Sequence, residues 1–104
     1  MLYLIYCEDR PDGAAIRAAE REAHFAYLAQ HRDIVLLGGA LLAEDGATRI
    51  GSSFLINVKS RAAAEEFSRN EPFTKAGLFH DVRLRRMRRG QWNPEAVPKT
   101  AEGN

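Results

Sequence analysis

No α-helix runs unbroken through Pro72. Proline lacks the N–H that the helical ladder needs, and its ring pushes the preceding residue, Glu71, out of the helical region. The segment Arg61-Ala62-Ala63-Ala64-Glu65-Glu66-Phe67 is rich in good helix formers, with Ser60 placed to cap its first turn, and is therefore expected to stop just short of Pro72. Phe73 to Leu78 then makes one further helical turn, closed by Gly77. The break leaves an acid, Glu71, fixed at a corner between two helical pieces.

The rest of the chain alternates in character around this corner. Leu2 to Cys7 is a short aromatic and branched run ended by Glu8-Asp9-Arg10-Pro11-Asp12-Gly13, which reads as a central strand followed by a turn. Ala14 to about Gln30 is Ala, Arg, Glu and Leu without Pro or Gly, a helix of several turns. Ile34 to Ala43 and Ile50 to Val58 are β-rich and flank Glu44-Asp45-Gly46-Ala47-Thr48, so they form a hairpin, with either a bulge or a close approach to the backbone expected at Gly38-Gly39. Val82, Leu84 and Met87 mark a fourth strand crowded with arginine. The order is βαββαβ, an α+β fold with one domain over residues 1–89 and a tail over 90–104. Two helices on one face of a four-stranded sheet leave the other face bare, and the tail with Trp92 is too short to cover it. A second copy of the chain is the expected cover, which makes a homodimer.

Charge and cysteine content narrow the function classes. With 15 basic and 14 acidic residues in 104, the net charge of +1 gives no global field to gather nucleic acid or an anionic membrane. The run Arg83-Leu84-Arg85-Arg86-Met87-Arg88-Arg89 lacks interleaved aromatics for base stacking and reads as a solvated edge strand. No apolar stretch approaches the roughly 20 residues a membrane span needs, and the start of the chain has no basic leader ahead of an apolar core. Cys7 is the single cysteine, so no internal disulfide is possible and the cytoplasm is the expected compartment. His31 and His80 have no cysteine or carboxylate at ligand spacing, so neither a metal nor another cofactor is expected.

On the first helix His24, Tyr27, Leu28 and His31 fall at i, i+3, i+4 and i+7, a stripe that Ile16 and Ala23 extend and that faces the sheet. From its neighbours alone, His24 reads as a core histidine satisfied by a backbone carbonyl, and Glu71 as a helix-terminal surface acid. Arg21, one turn before His24, is a solvated shoulder residue or a partner for an acidic ligand. Ser52 and Ser53 could place a hydroxyl in a pocket, but their simpler use is hydrogen bonding at a strand end.

Four stretches together give these residues a different weight. They are Leu4-Ile5-Tyr6, Arg21-x-x-His24-x-x-Tyr27-Leu28, Leu37-Gly38-Gly39-Ala40-Leu41 and Pro72-Phe73-x-x-Ala76-Gly77-Leu78. In order and spacing the chain resembles the YCII family of small YciI-like proteins. The resemblance implies a ferredoxin-like βαββαβ fold, a four-stranded antiparallel sheet with two helices on one face, paired into a dimeric α+β barrel. It also implies a pocket between the first helix and the sheet, holding a histidine and an acid that act as a pair. His24 matches the histidine; Glu71 stands where the family usually has the aspartate of a D-P-[FY] motif, and Ala40 where a proline commonly follows the glycines. A neutral imidazole can take a proton from substrate while a carboxylate on its other nitrogen fixes the tautomer. Family members resemble cofactor-independent enzymes that shift protons on small cyclic or aromatic acids. Two functions fit: an isomerase or lyase acting on a small acidic or aromatic molecule through His24 and Glu71, with Arg21 binding the acid, or a non-catalytic module that binds such a molecule in the same pocket.

Overall fold

The computed structural model describes residues 1–103. Its elements are β1 (Leu2–Asp9), α1 (Ala14–Gln30), β2 (Val35–Leu42), β3 (Arg49–Asn57), α2 (Arg61–Asn70), α3 (Pro72–Lys75) and β4 (Phe79–Met87), followed by a single 3₁₀ turn at Pro94–Ala96. The sheet is antiparallel throughout, in the order β2-β3-β1-β4. This is the α+β ferredoxin-like arrangement, with β1 central and the arginine-rich β4 at an edge.

Alternation decides which face is core. Tyr3, Ile5 and Cys7 of β1 and Phe54 and Ile56 of β3 point to the helices and are buried with Ala64 and Phe67 of α2. Removing apolar side chains of this size from water contributes about 1.5–3 kcal/mol each. Tyr27 ties α1 to α2 by donating its hydroxyl to the Phe67 carbonyl at 2.8 Å. Ile16 lies at the margin of the stripe and Ala23 faces solvent, so the buried stripe of α1 is narrower than its sequence spacing implies. The opposite face of the sheet carries the row Leu37, Leu55, Leu4 and Arg85, in register from β2 to β4. Leu4 and Tyr6 there are each 38% exposed and Leu37 is 66% exposed.

Three local features set the frame for the site. Ser60 caps α2 by accepting the Ala63 N–H, and α2 ends at Asn70, just short of Pro72. Gly77, at φ +77°, turns the chain from α3 into β4. Gly51 allows β1 and β3 to approach, since a Cβ there would lie 2.1 Å from the Cys7 carbonyl oxygen.

Of the two uses open to Gly38-Gly39, the structure has the close approach and not the bulge. The ladder of β2 runs regularly through Gly38 and Gly39, and its register shifts fall instead between Val35 and Leu37 and between Leu41 and Leu42. Gly38 serves close approach: a Cβ on it would sit 3.1 Å from the Phe54 ring. β4 contains the expected Val82, Leu84 and Met87, and its start at Phe79 pairs with Asp9 of β1. Among the described residues no helix is long and apolar enough to cross a membrane.

Candidate active site

Glu71 stands at the corner that Pro72 forces. With φ −65° and ψ 129° it leaves the helical region, and its carboxylate folds back over the start of α3. Oε2 accepts the N–H groups of Phe73 at 3.1 Å and Thr74 at 3.3 Å, so the acid caps the short helix. Oε1 accepts the Nδ1–H of His24 in a short hydrogen bond. The extra methylene of glutamate is taken up by this double role and does not carry the carboxylate past the ring. Both groups are buried, Glu71 to 1% exposure and His24 to 7%.

Packing fixes the imidazole in its plane. Its ring stacks on Phe73 with centroids 4.0 Å apart and planes 15° apart. The Arg17 guanidinium also lies over the Phe73 ring, 4.7 Å from its centroid. With Nδ1 committed to Glu71, Nε2 has no protein partner. Since no buried side-chain nitrogen or oxygen among the described residues lacks a partner, Nε2 is open to the space beside it.

That space is a hollow of about 270 Å³ between α1 and the β2–β3 half of the sheet. Its walls include Arg17, Arg21, His24 and Phe25 on one side and Gly38 to Ala40, Arg49 and Ser52 on the other. A larger hollow, about 1040 Å³, lies at the tail end of the bare sheet face beside Trp92, and its walls carry no histidine or carboxylate.

Arg17, which sequence reasoning passed over, and Ser52, read there as a strand-end hydrogen-bonding group, both belong to this site. Arg17 makes a two-pronged pair with Asp9, Nε to Oδ2 and a terminal nitrogen to Oδ1, each at 2.8 Å. The same terminal nitrogen donates to the Gly51 carbonyl at 3.0 Å and to Ser52 Oγ at 3.1 Å. Helix α1 is thereby clamped to β1 and β3 beneath the hollow. The spacing Arg17, Arg21, His24, Leu28 is i, i+4, i+7, i+11, so extending the histidine stripe backward finds the residue. Arg21 is exposed at the rim of the hollow and makes no hydrogen bond or ion pair among the described residues.

The Cys7 thiol and the Tyr27 phenol are unsuited to proton transfer near neutral pH. Burial, then the charges of Glu71 and Asp9, push the Cys7 thiol up to about 12. Burial, then Glu71 and Glu66, push the Tyr27 phenol to about 12. His31 donates Nδ1–H to the carbonyl of Tyr27 at 2.8 Å, and His80 pairs with Glu8 at 3.2 Å on the surface. The described residues contain no group of three or more histidines, cysteines or carboxylates able to hold a metal ion.

Comparisons with known proteins identify the family and the fold. A model of the YCII-related domain matches residues 1–88. Protein YciI of Escherichia coli is 30% identical over 92 residues, which cover 82% of this chain and 94% of that protein. A solved structure of 5-chloro-2-hydroxyhydroquinone dehydrochlorinase (TftG) from Burkholderia phenoliruptrix, in complex with 2,5-dihydroxybenzoquinone, is 35% identical with a TM-score of 0.82. The likeness covers 86% of this chain and 96% of that one. An antibiotic biosynthesis monooxygenase, 16% identical with a TM-score of 0.52 over 88% of this chain and all of its own, shares the fold alone.

Proposed function

This chain belongs to the YCII-related family, and on that premise we propose that it is a cofactor-independent acid–base catalyst, an isomerase or lyase acting on a small organic acid. The observation that carries the proposal is His24, held through Nδ1 by the buried Glu71 with Nε2 open to a hollow. Nε2 takes a proton from a substrate carbon or hydroxyl, and the electron pair left behind forms a new double bond. In a lyase reaction that bond forms as a leaving group departs as an anion; in an isomerase reaction the imidazolium returns the proton to another carbon of the same molecule. Glu71 orients the ring and stabilises its cationic form while the proton is held. Arg21, at the rim, attracts the acid group of the substrate.

The dehydrochlorinase relative supplies the first compound to try. Chloride release from 5-chloro-2-hydroxyhydroquinone is expected to exceed the uncatalysed rate in the native protein and to fall by about 10²- to 10⁴-fold in His24→Ala. Equal release by the two proteins would remove His24 from the chemistry. Saturable binding of the compound without chloride release would favour the non-catalytic module.

We further propose that the protein works as a homodimer in the cytoplasm. The bare sheet face, with Leu4, Tyr6 and Leu37 exposed, is the surface for a second copy. A total of roughly 1,200 to 2,000 Å² buried would be ordinary for such a pair. Sedimentation should give a dimer at micromolar concentration for the native chain and a monomer for Leu4→Glu, and a native monomer would contradict the assignment. A lone, buried, protonated Cys7 suits a reducing compartment.

A further inference from the structure

We propose that Arg21, Phe25 and Arg49 form an anion-and-ring subsite at the mouth of the His24 hollow, selecting an aromatic ring that carries one ionised substituent. The proposal rests on the acid–base reading for what happens to the ring, but binding alone tests it.

Charge balance around the hollow is the starting point. Three guanidinium groups line it. Arg17 is neutralised by Asp9, and its remaining contacts go to Gly51 and Ser52, so it holds the fold together. Arg21 makes no hydrogen bond or ion pair among the described residues, and Arg49 makes a single 3.3 Å bond to the carbonyl of Ala47. No carboxylate is among the residues lining the hollow. Two positive groups on opposite walls, one from α1 and one from the start of β3, therefore face a space that offers them no counter-charge. An anionic ligand group supplies it.

Shape identifies the rest of the ligand. Phe25 lies one turn beyond Arg21 on α1 and is 60% exposed, so its ring is free to stack on a ligand. It lines the same hollow, with its ring centroid 5.6 Å from that of His24. The opposite wall, Gly38 to Ala40, is almost without side chains and leaves room for a flat ring. A cavity of about 150 Å³ holds benzene, so about 270 Å³ has room for one ring with its substituents.

Three small probes separate the two features. Benzoate has a ring and a charge, benzamide a ring without the charge, and acetate the charge without a ring. By calorimetric titration of the native protein, benzoate is expected to bind at millimolar concentration or below, and benzamide and acetate about tenfold or more weakly, the cost of losing one charge-assisted contact or the ring. The Arg21→Ala/Arg49→Ala double variant should bind benzoate no better than benzamide. Phe25→Ala should weaken benzoate and leave acetate unchanged. All three side chains are exposed, so these variants retain the fold. His24→Ala should still prefer benzoate, whatever its turnover, which separates this subsite from the chemistry. Equal affinity for benzoate and benzamide, undiminished benzoate binding in the double variant, or no benzoate binding at all would overturn the proposal.

Discussion

Replacing Glu71 with alanine is expected to destabilise the protein by about 3–5 kcal/mol, the cost of removing one partner from a buried charged contact. The side chain is 1% exposed and accepts three hydrogens at once, from the amides of Phe73 and Thr74 and from His24 Nδ1. Alanine leaves all three donors without their acceptor, and the Phe73 amide bond and the imidazole are buried. The start of α3 also loses its cap, itself worth about 1 kcal/mol. For a domain of this length, a loss of this size lowers Tm by about 12 °C or more. Urea unfolding measures the difference, and a Glu71→Ala protein within about 1 kcal/mol of native would show that the corner does not depend on the carboxylate.

Glu71→Gln separates catalysis from stability. A glutamine oxygen can still accept the Phe73 and Thr74 amides, so most of the cap survives. Its amide nitrogen then faces His24 Nδ1 and can only donate. The imidazole must present a lone pair at Nδ1 and carry its proton on Nε2, the nitrogen that opens to the hollow. A base becomes a donor without any change of shape. Turnover is therefore expected to fall by about 10²- to 10⁴-fold while the protein remains folded. Activity near the native level in this variant would mean that the tautomer of His24 is set by something other than Glu71.

Some of this was legible before the structure and some was not, for physical reasons. Pro72, Ser60 and Gly77 act through their own backbones, so the ends of α2 and α3 follow from local chemistry. The strands β1 and β3 show their buried faces as alternation, and the inward turn of His24 shows as helical spacing. That Glu71 meets His24 was implied only by resemblance to a family, because the two residues are far apart in sequence and no periodicity links different elements. The Arg17 network was hidden for the same reason: Asp9 reads as a turn residue and Ser52 as a strand-end hydroxyl until the sheet brings both beneath α1. The role of Gly38 stayed open because a glycine that admits a neighbouring ring and one that breaks a ladder look identical in a sequence.

The central claim is that Glu71 holds the proton of the neutral His24 ring on Nδ1 and leaves Nε2 bare toward the hollow. A long-range proton–nitrogen correlation spectrum of the His24 ring, recorded where the imidazole is neutral, reads this directly. The account predicts a protonated Nδ1 and a lone-pair Nε2 in the native protein, with the two exchanged in Glu71→Gln. A native protein with its proton on Nε2, or a spectrum that Glu71→Gln leaves unchanged, would contradict it.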